Sequence, residues 1–341
     1  MKHRNLIAVI KNFVIFLVIY LLLSFMAVML IYEGLFARTE PYEYSVFISR
    51  DDIEQEYTVR DVSFDSCGFS VSAALFGESK DKLVILGHAK DNSSADMLPE
   101  AKFFLENGFS VMTMDFIGHS NSEGNSQSGL HQSVYDMENA IGYARSVGFG
   151  NIYLYGIGIG GYAAASCADE EGVRGVAAIS AYSSIPDLTL EYAVSKMSIL
   201  GYLEYPIMLL YQQILYGDDM NHNAIEGINS SDVPVIIING TADDKIKYDG
   251  AALINASERI TNDKVIYRTV ENGVHLSLMR TDEARNLIDK FNEDAYMLYY
   301  EHDGNVPIAS VDALYDAVDS EAASQLDAEL MNEILGVFGS I

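Results

Sequence analysis

The sequence predicts an α/β protein: a doubly wound, mostly parallel sheet with a helical cap insertion, preceded by an N-terminal transmembrane helix. Three observations carry this. Short apolar runs alternate with helical stretches from residue 82 onward, the pattern of strands joined by crossover helices. Asn151–Ala165 reads NIYLYGIGIGGYAAA, an apolar strand running through a glycine-dense turn into small helix-forming residues. Asn12–Tyr32 is a run of 21 residues without a charge.

That run comes first. As a helix rising about 1.5 Å per residue it spans roughly 30 Å, the thickness of a hydrocarbon core. Lys2, Arg4 and Lys11 precede it, and Glu33 and Glu40 follow. Positive flanks stay cytoplasmic, which places the main domain outside the cytoplasm in a single-pass arrangement. The run is longer than a signal-peptide core and no A-x-A site follows, so it is expected to stay as an anchor. The chain then divides into a cytoplasmic stub and anchor (1–32), a polar linker (33–55) and the α/β domain (56–341).

Within the domain, EYTVRDVSF and FSVSAALF alternate apolar and polar residues and read as an antiparallel pair joined near Asp65–Gly68. KLVILGH (82–88) is continuously apolar, as in a buried parallel strand. A helix over Asp96–Asn107 ends at Gly108, followed by strand FSVMTMDF (109–116) and a Ser/Gly/Asn loop, Gly118–Gly129. A helix over His131–Val147 leads to strand NIYLY (151–155), the glycine turn and a helix over Tyr162–Asp169. VRGVAAISA (173–181), VPVIIIN (233–239) and KVIYRTV (264–270) are further strands, the last two separated by a helix around Tyr248–Ile260. The segment at about 183–232 interrupts the alternation with two or three Leu/Ile/Met/Tyr-rich helices, a cap over the sheet edge where α/β proteins bind ligands. After Val274 the chain is helical, ending in the amphipathic DAELMNEILGVF.

Charge bounds the partners. All 49 acidic residues and 18 of the 21 basic ones follow the anchor. Such a surface repels nucleic acid and anionic headgroups. Cys67 and Cys167 make no disulfide framework and no metal-ligand spacing; each reads as a small buried residue. No cofactor or metal is expected. Asn92, Asn229 and Asn255 begin N-x-[ST] triplets.

The chemistry concentrates in the turns after the strands. Gly156-Ile157-Gly158-Ile159-Gly160 has the form of a nucleophile elbow, G-x-S-x-G, with glycine at the serine position. Leu86-Gly87-His88-Ala89-Lys90 follows the first parallel strand. Asp115-Phe116-Ile117-Gly118-His119-Ser120 follows the next, with Ser122-Glu123-Gly124 behind it. Gly240-Thr241-Ala242-Asp243-Asp244 and Gly273-Val274-His275 follow the last two.

Taken together, these motifs and their order resemble the α/β-hydrolase superfamily over roughly Glu56–Ile341, most closely its bacterial serine-aminopeptidase-like and lysophospholipase-like members. The resemblance implies that His275 is the general base and Asp243 the acid that orients it, with Asp244 as fallback. It implies an oxyanion hole from the backbone N–H groups of Lys90 and Ile159. Gly158 stands at the nucleophile position. Ala89 departs from the family's glycine at that point of the loop.

Two other readings of the glycines and serines are weaker. GHSNS at 118–122 mimics an elbow around Ser120, yet NSEGNSQSG behind it is a poor helix. Gly156, Gly158 and Gly161 fit G-x-G-x-x-G, but the next strand ends in Ser180-Ala181-Tyr182-Ser183 without the acid a dinucleotide site needs. Triad catalysis requires an oxygen or sulfur nucleophile, and glycine offers neither. The expectation is therefore a membrane-anchored pseudohydrolase that binds a partner or a small apolar or acyl ligand. The alternatives are an active esterase, lipase or peptidase using a displaced nucleophile or an activated water, and an interaction domain with a vestigial pocket.

Overall fold

The computed structural model describes residues 2–41 and 44–339. The chain begins with α1 (Lys2–Leu35), of which Leu6–Leu35 is long and apolar enough to cross a membrane. A short helix, α2 (Arg50–Glu54), is closed by a capping box on Ser49 and Asp52. The strands are β1 (Val59–Ser66), β2 (Phe69–Phe76), β3 (Leu83–Gly87), β4 (Ser110–Met114), β5 (Ile152–Ile157), β6 (Val173–Ile179), β7 (Val235–Gly240) and β8 (Val265–Val270). They form one eight-stranded sheet in the order β1-β2-β4-β3-β5-β6-β7-β8. β1 and β2 pair antiparallel, as do β2 and β4, while every other pair is parallel. The mostly parallel sheet with flanking helices is the fold class the sequence predicts.

Helices cover both faces. α3 (Leu98–Glu106) lies on one side; α4 (Gln132–Ser146) and α5 (Ile159–Ser166) lie on the other. Two helices, α6 (Ile185–Met197) and α7 (Gly201–Tyr216), form the cap insertion. The next, α8 (Ala224–Ser230), packs so closely on α5 that a Cβ on Gly227 would strike the Ser166 carbonyl. The chain ends in α9 (Asp282–Glu301), α10 (Ile308–Asp316), α11 (Ser320–Ala323) and α12 (Ala328–Val337). Val84, Leu86, Val111 and Tyr155 project towards Phe104 of α3 and Ile334 of α12. Ile85, Met112 and Leu154 project towards Met137 of α4 and Tyr162 of α5. Such alternation along strands is what a sheet buried on both faces demands.

Three expectations need correction. Residues around Tyr248–Ile260 form a 3₁₀ segment, Leu253–Arg259, rather than an α-helix. The helix after the glycine turn starts at Ile159, not Tyr162. Gly160 and Gly161, read as turn residues, lie inside that helix, while Gly156 lies in β5 and Gly158 caps the helix.

The stretch read as a polar linker is packed on the domain. Phe36, Ile48 and Ile53 are buried. Arg38 donates to the carbonyls of Ser120 (2.6 Å), Ser122 (2.8 Å) and Gly124 (2.9 Å). Thr39 N–H donates to Gly118 O at 2.9 Å, and Gln127 N–H to Phe36 O at 2.8 Å.

Candidate active site

The elbow is built by close packing. A Cβ on Gly156 would collide with the backbone of Gly160, and one on Gly160 with the Gly87 carbonyl. A Cβ on Gly161 would lie 2.8 Å from Ile179 O. These glycines let α5 sit directly on β3, β5 and β6. Gly158 differs: it has φ 59° and ψ −114° and caps α5, its carbonyl accepting from Tyr162 N–H at 2.9 Å. That positive φ suits glycine and strains any other residue. A Cβ there would meet side chains only: His275 Nε2 at 2.8 Å, His275 Cε1 at 3.3 Å and Ala89 Cβ at 3.6 Å.

His275 is therefore brought against Gly158, in the turn between β5 and α5. Its Nδ1 lies 2.8 Å from Asp243 Oδ2, and both residues are buried. Nδ1 donates to the carboxylate, which leaves Nε2 facing Gly158. Asp243 Oδ1 accepts from the N–H groups of Lys245 and Ile246, each at 2.9 Å, which fixes the carboxylate plane. The turns carrying the two residues meet because Gly240 and Gly273 lack side chains: a Cβ on Gly240 would strike Gly273 O. Ala242 N–H donates to Gly273 O at 3.1 Å. Asp244 points away into an exposed pair with Lys245, Nζ to Oδ2 2.9 Å, which favours its ionised form.

Sequence patterns gave no sign of Ser180 in this site. It holds φ 48°, and its hydroxyl donates to the His275 carbonyl at 3.1 Å. Nor did they show the pair that holds the following segment. Arg280 and Glu100, 3% and 0% exposed, face each other with Nη1–Oε1 at 3.2 Å and Nη2–Oε2 at 3.2 Å.

The loop after β3 packs against the elbow through Ala89. His88 clamps it: Nδ1 donates to Ala89 O at 2.8 Å, and Nε2 accepts from Phe116 N–H at 3.0 Å. Complete burial pushes the His88 pKa down to about 4. His119 packs edge-on to it, ring centroids 4.8 Å apart, and burial with the neighbouring His88 pushes it down to about 3. Ile159 N–H belongs to the first residue of α5 and so has no acceptor within its helix. The Lys90 ammonium pairs with Asp91 at 2.7 Å and lies 5.6 Å over the Phe36 ring.

Ser120 is placed elsewhere. It has φ 42° in a loop with no helix until Gln132, and its N–H donates to Thr39 O at 2.8 Å. Two surface clefts among the described residues bear on the site. The larger, about 500 Å³, is lined by Arg38, Phe69 and Asn121 and lies away from His275. The smaller, about 340 Å³, is lined by Thr241, Asp243, Lys247, Tyr248 and Asp249. Only the smaller one borders the buried dyad.

No family model and no curated protein matches this sequence. Solved structures do. An esterase of Pyrococcus furiosus superposes with a TM-score of 0.54 at 17% identity, over 78% of this chain and 98% of its own. Est1E of Butyrivibrio proteoclasticus, solved with ferulic acid bound, gives 0.51 at 17% identity, over 69% of this chain and 98% of its own. A putative hydrolase of Agrobacterium vitis gives 0.51 at 17% identity, over 69% and 98%. At such identities the likeness is one of fold.

Proposed function

We propose that this chain, whose fold is that of the α/β-hydrolases, is a membrane-anchored pseudohydrolase that binds a small apolar or acyl ligand without turning it over. One observation carries the reading: His275 Nε2 sits 2.8 Å from where a side chain at position 158 would begin. The base faces the elbow and no nucleophile stands between them. His275 and Asp243 hold the positions of general base and orienting acid, and the Lys90 and Ile159 N–H groups those of oxyanion donors. In this reading α1 spans the bilayer with its basic N-terminal flank in the cytoplasm and the domain outside. The apolar cap supports an apolar ligand.

The intact dyad supports a second reading, hydrolysis by a water activated on His275. The two separate by experiment. The full-length protein in detergent micelles is assayed on short-chain esters beside Gly158→Ser and His275→Ala. Pseudohydrolase status gives a silent wild type, with ligand-dependent thermal stabilisation and no product. Wild-type turnover that vanishes in His275→Ala establishes the second reading and overturns the first.

A further inference from the structure

We propose that the hairpin of α6 and α7 is immersed in the lipid leaflet on the domain's side of the membrane, as a second bilayer-contacting element beside α1. The inference rests on the reading of α1 as a membrane span and adds a part of the molecule that the reading leaves dry.

The two elements are bonded along their length. Tyr20 Oη donates to Glu204 Oε1 at 2.7 Å, and Ser24 Oγ to Glu204 Oε2. Tyr211 stacks edge-on to Phe25 and Tyr32, with centroids 5.8 and 5.2 Å away, and its hydroxyl donates to Glu33 at 2.7 Å. Contacts thus run from Tyr20 to Glu33 on α1 and from Glu204 to Tyr211 on α7, with the two helices parallel.

Depth follows from length. The apolar part of α1 is 30 residues, about 45 Å, against a hydrocarbon core of roughly 30 Å. A core that begins at Leu6 ends near Phe25; one that begins at Asn12 ends near Tyr32. Tyr20 then lies roughly 8 Å or 18 Å below the outer boundary. In either position Glu204, bonded to Tyr20 and Ser24, is within the core, and the turn before it lies deeper.

The outward surface of the hairpin carries large apolar side chains, on the turn and along α7. Ile199 is 77% exposed, Leu203 64%, Ile214 62% and Leu210 53%. Water would disfavour such a surface, which here continues the exposed apolar face of α1. Glu204, Ser195 and Lys196 have partners on the helices. Both oxygens of Glu204 accept from α1 hydroxyls. The Lys196 ammonium turns back over the Tyr192 ring, 5.8 Å from its centroid and nearer the domain. Gln213 lies at the end of α7 nearest the domain. Continuity with the span selects lipid as the occupant, and an acyl ligand meets the cap without leaving the leaflet.

The chain contains no tryptophan, so a single introduced one is a clean reporter. Leu203→Trp and Leu210→Trp test the hairpin at exposed positions; Leu22→Trp reports the span; Ile308→Trp on α10 reports the solvated domain. Full-length variants are placed in phosphatidylcholine vesicles with brominated acyl chains and titrated with acrylamide. The expected result is loss of most emission to brominated lipid at 203, 210 and 22, and quenching by acrylamide at 308. Quenching by acrylamide at 203 and 210, with 22 still quenched by lipid, overturns the immersed hairpin and keeps the span. Protection of 203 and 210 from both quenchers assigns the face to a second copy and also overturns the proposal. If 22 escapes lipid quenching, the span itself falls, and the hairpin proposal with it.

Discussion

The elbow after β5 and the paired turns after β7 and β8 solve the same construction problem with different residues left over. Both rely on glycines where backbones touch: Gly156 and Gly160 in the elbow, Gly240 and Gly273 in the pair. The paired turns also present two polar side chains, His275 and Asp243, bonded at 2.8 Å. The elbow presents none. Its glycines fall into two kinds: 156 and 160 are imposed by contact with backbone, whereas 158 is crowded only by a side chain that can turn. The close backbone packing of such a turn and the side chain it presents are specified by separate residues, so one can vary without the other.

The sharpest way to break that comparison, and to test the proposed pseudohydrolase, is to place a hydroxyl at position 158. Loss of a triad nucleophile typically costs about a millionfold in turnover. Gly158→Ser is therefore expected to gain ester turnover and covalent labelling by a serine-directed probe, read by intact-protein mass. The gain should stop short of a full triad, because the new Cβ would lie 2.8 Å from His275 Nε2 and the ring must withdraw. A folded Gly158→Ser that is inert and unlabelled counts against the assignment of His275 and Asp243 as general base and orienting acid.

The next effect concerns stability. Gly160→Ala forces backbone against backbone and is expected to lose more than about 4 kcal/mol or fail to fold. Gly158→Ala should cost about 1–3 kcal/mol, the strain of a positive φ. Urea unfolding of both variants tests the division of the glycines, and equal losses would erase it. On the paired-turn side, Glu100→Ala leaves Arg280 buried and unpaired just beyond His275. A loss of about 3–5 kcal/mol is expected.

The remaining effects are in pH. Buried His88, His119 and His131 have folded pKa values near 4, 3 and 4, below the unfolded 6.5. Between pH 6.5 and 4 the unfolded chain takes up protons that the folded one refuses, so stability falls on acidification. Asp136 works against this, because burial raises its pKa to about 6. Its folded form binds a proton before its unfolded form does. Asp136→Asn should therefore steepen the acid loss by up to about 3 kcal/mol, measured by thermal melts at pH 7 and pH 4.

The strands were legible because buried parallel strands are continuous apolar runs such as KLVILGH and VPVIIIN, and their order carried the fold. The turn motifs placed Asp243 and His275 because short loops follow those strands. What was not legible depends on pairs far apart in sequence: Ser180 with His275, Arg280 with Glu100, and α1 with α7 across some 180 residues. Composition also misled. Glycines at 160 and 161 read as turn although contact makes them helix, and residues 33–55 read as linker although Arg38 and Phe36 are tied to the loop before α4.

Those ties govern how the domain is mounted. A loose tether would let it tumble and meet the membrane with any face. Here the helix passes into Phe36–Thr39 and straight onto residues 118–127, leaving no slack at the exit. If α1 spans a bilayer as proposed, the domain stands at a fixed attitude, and any molecule diffusing in the plane of that membrane always meets the same side of it.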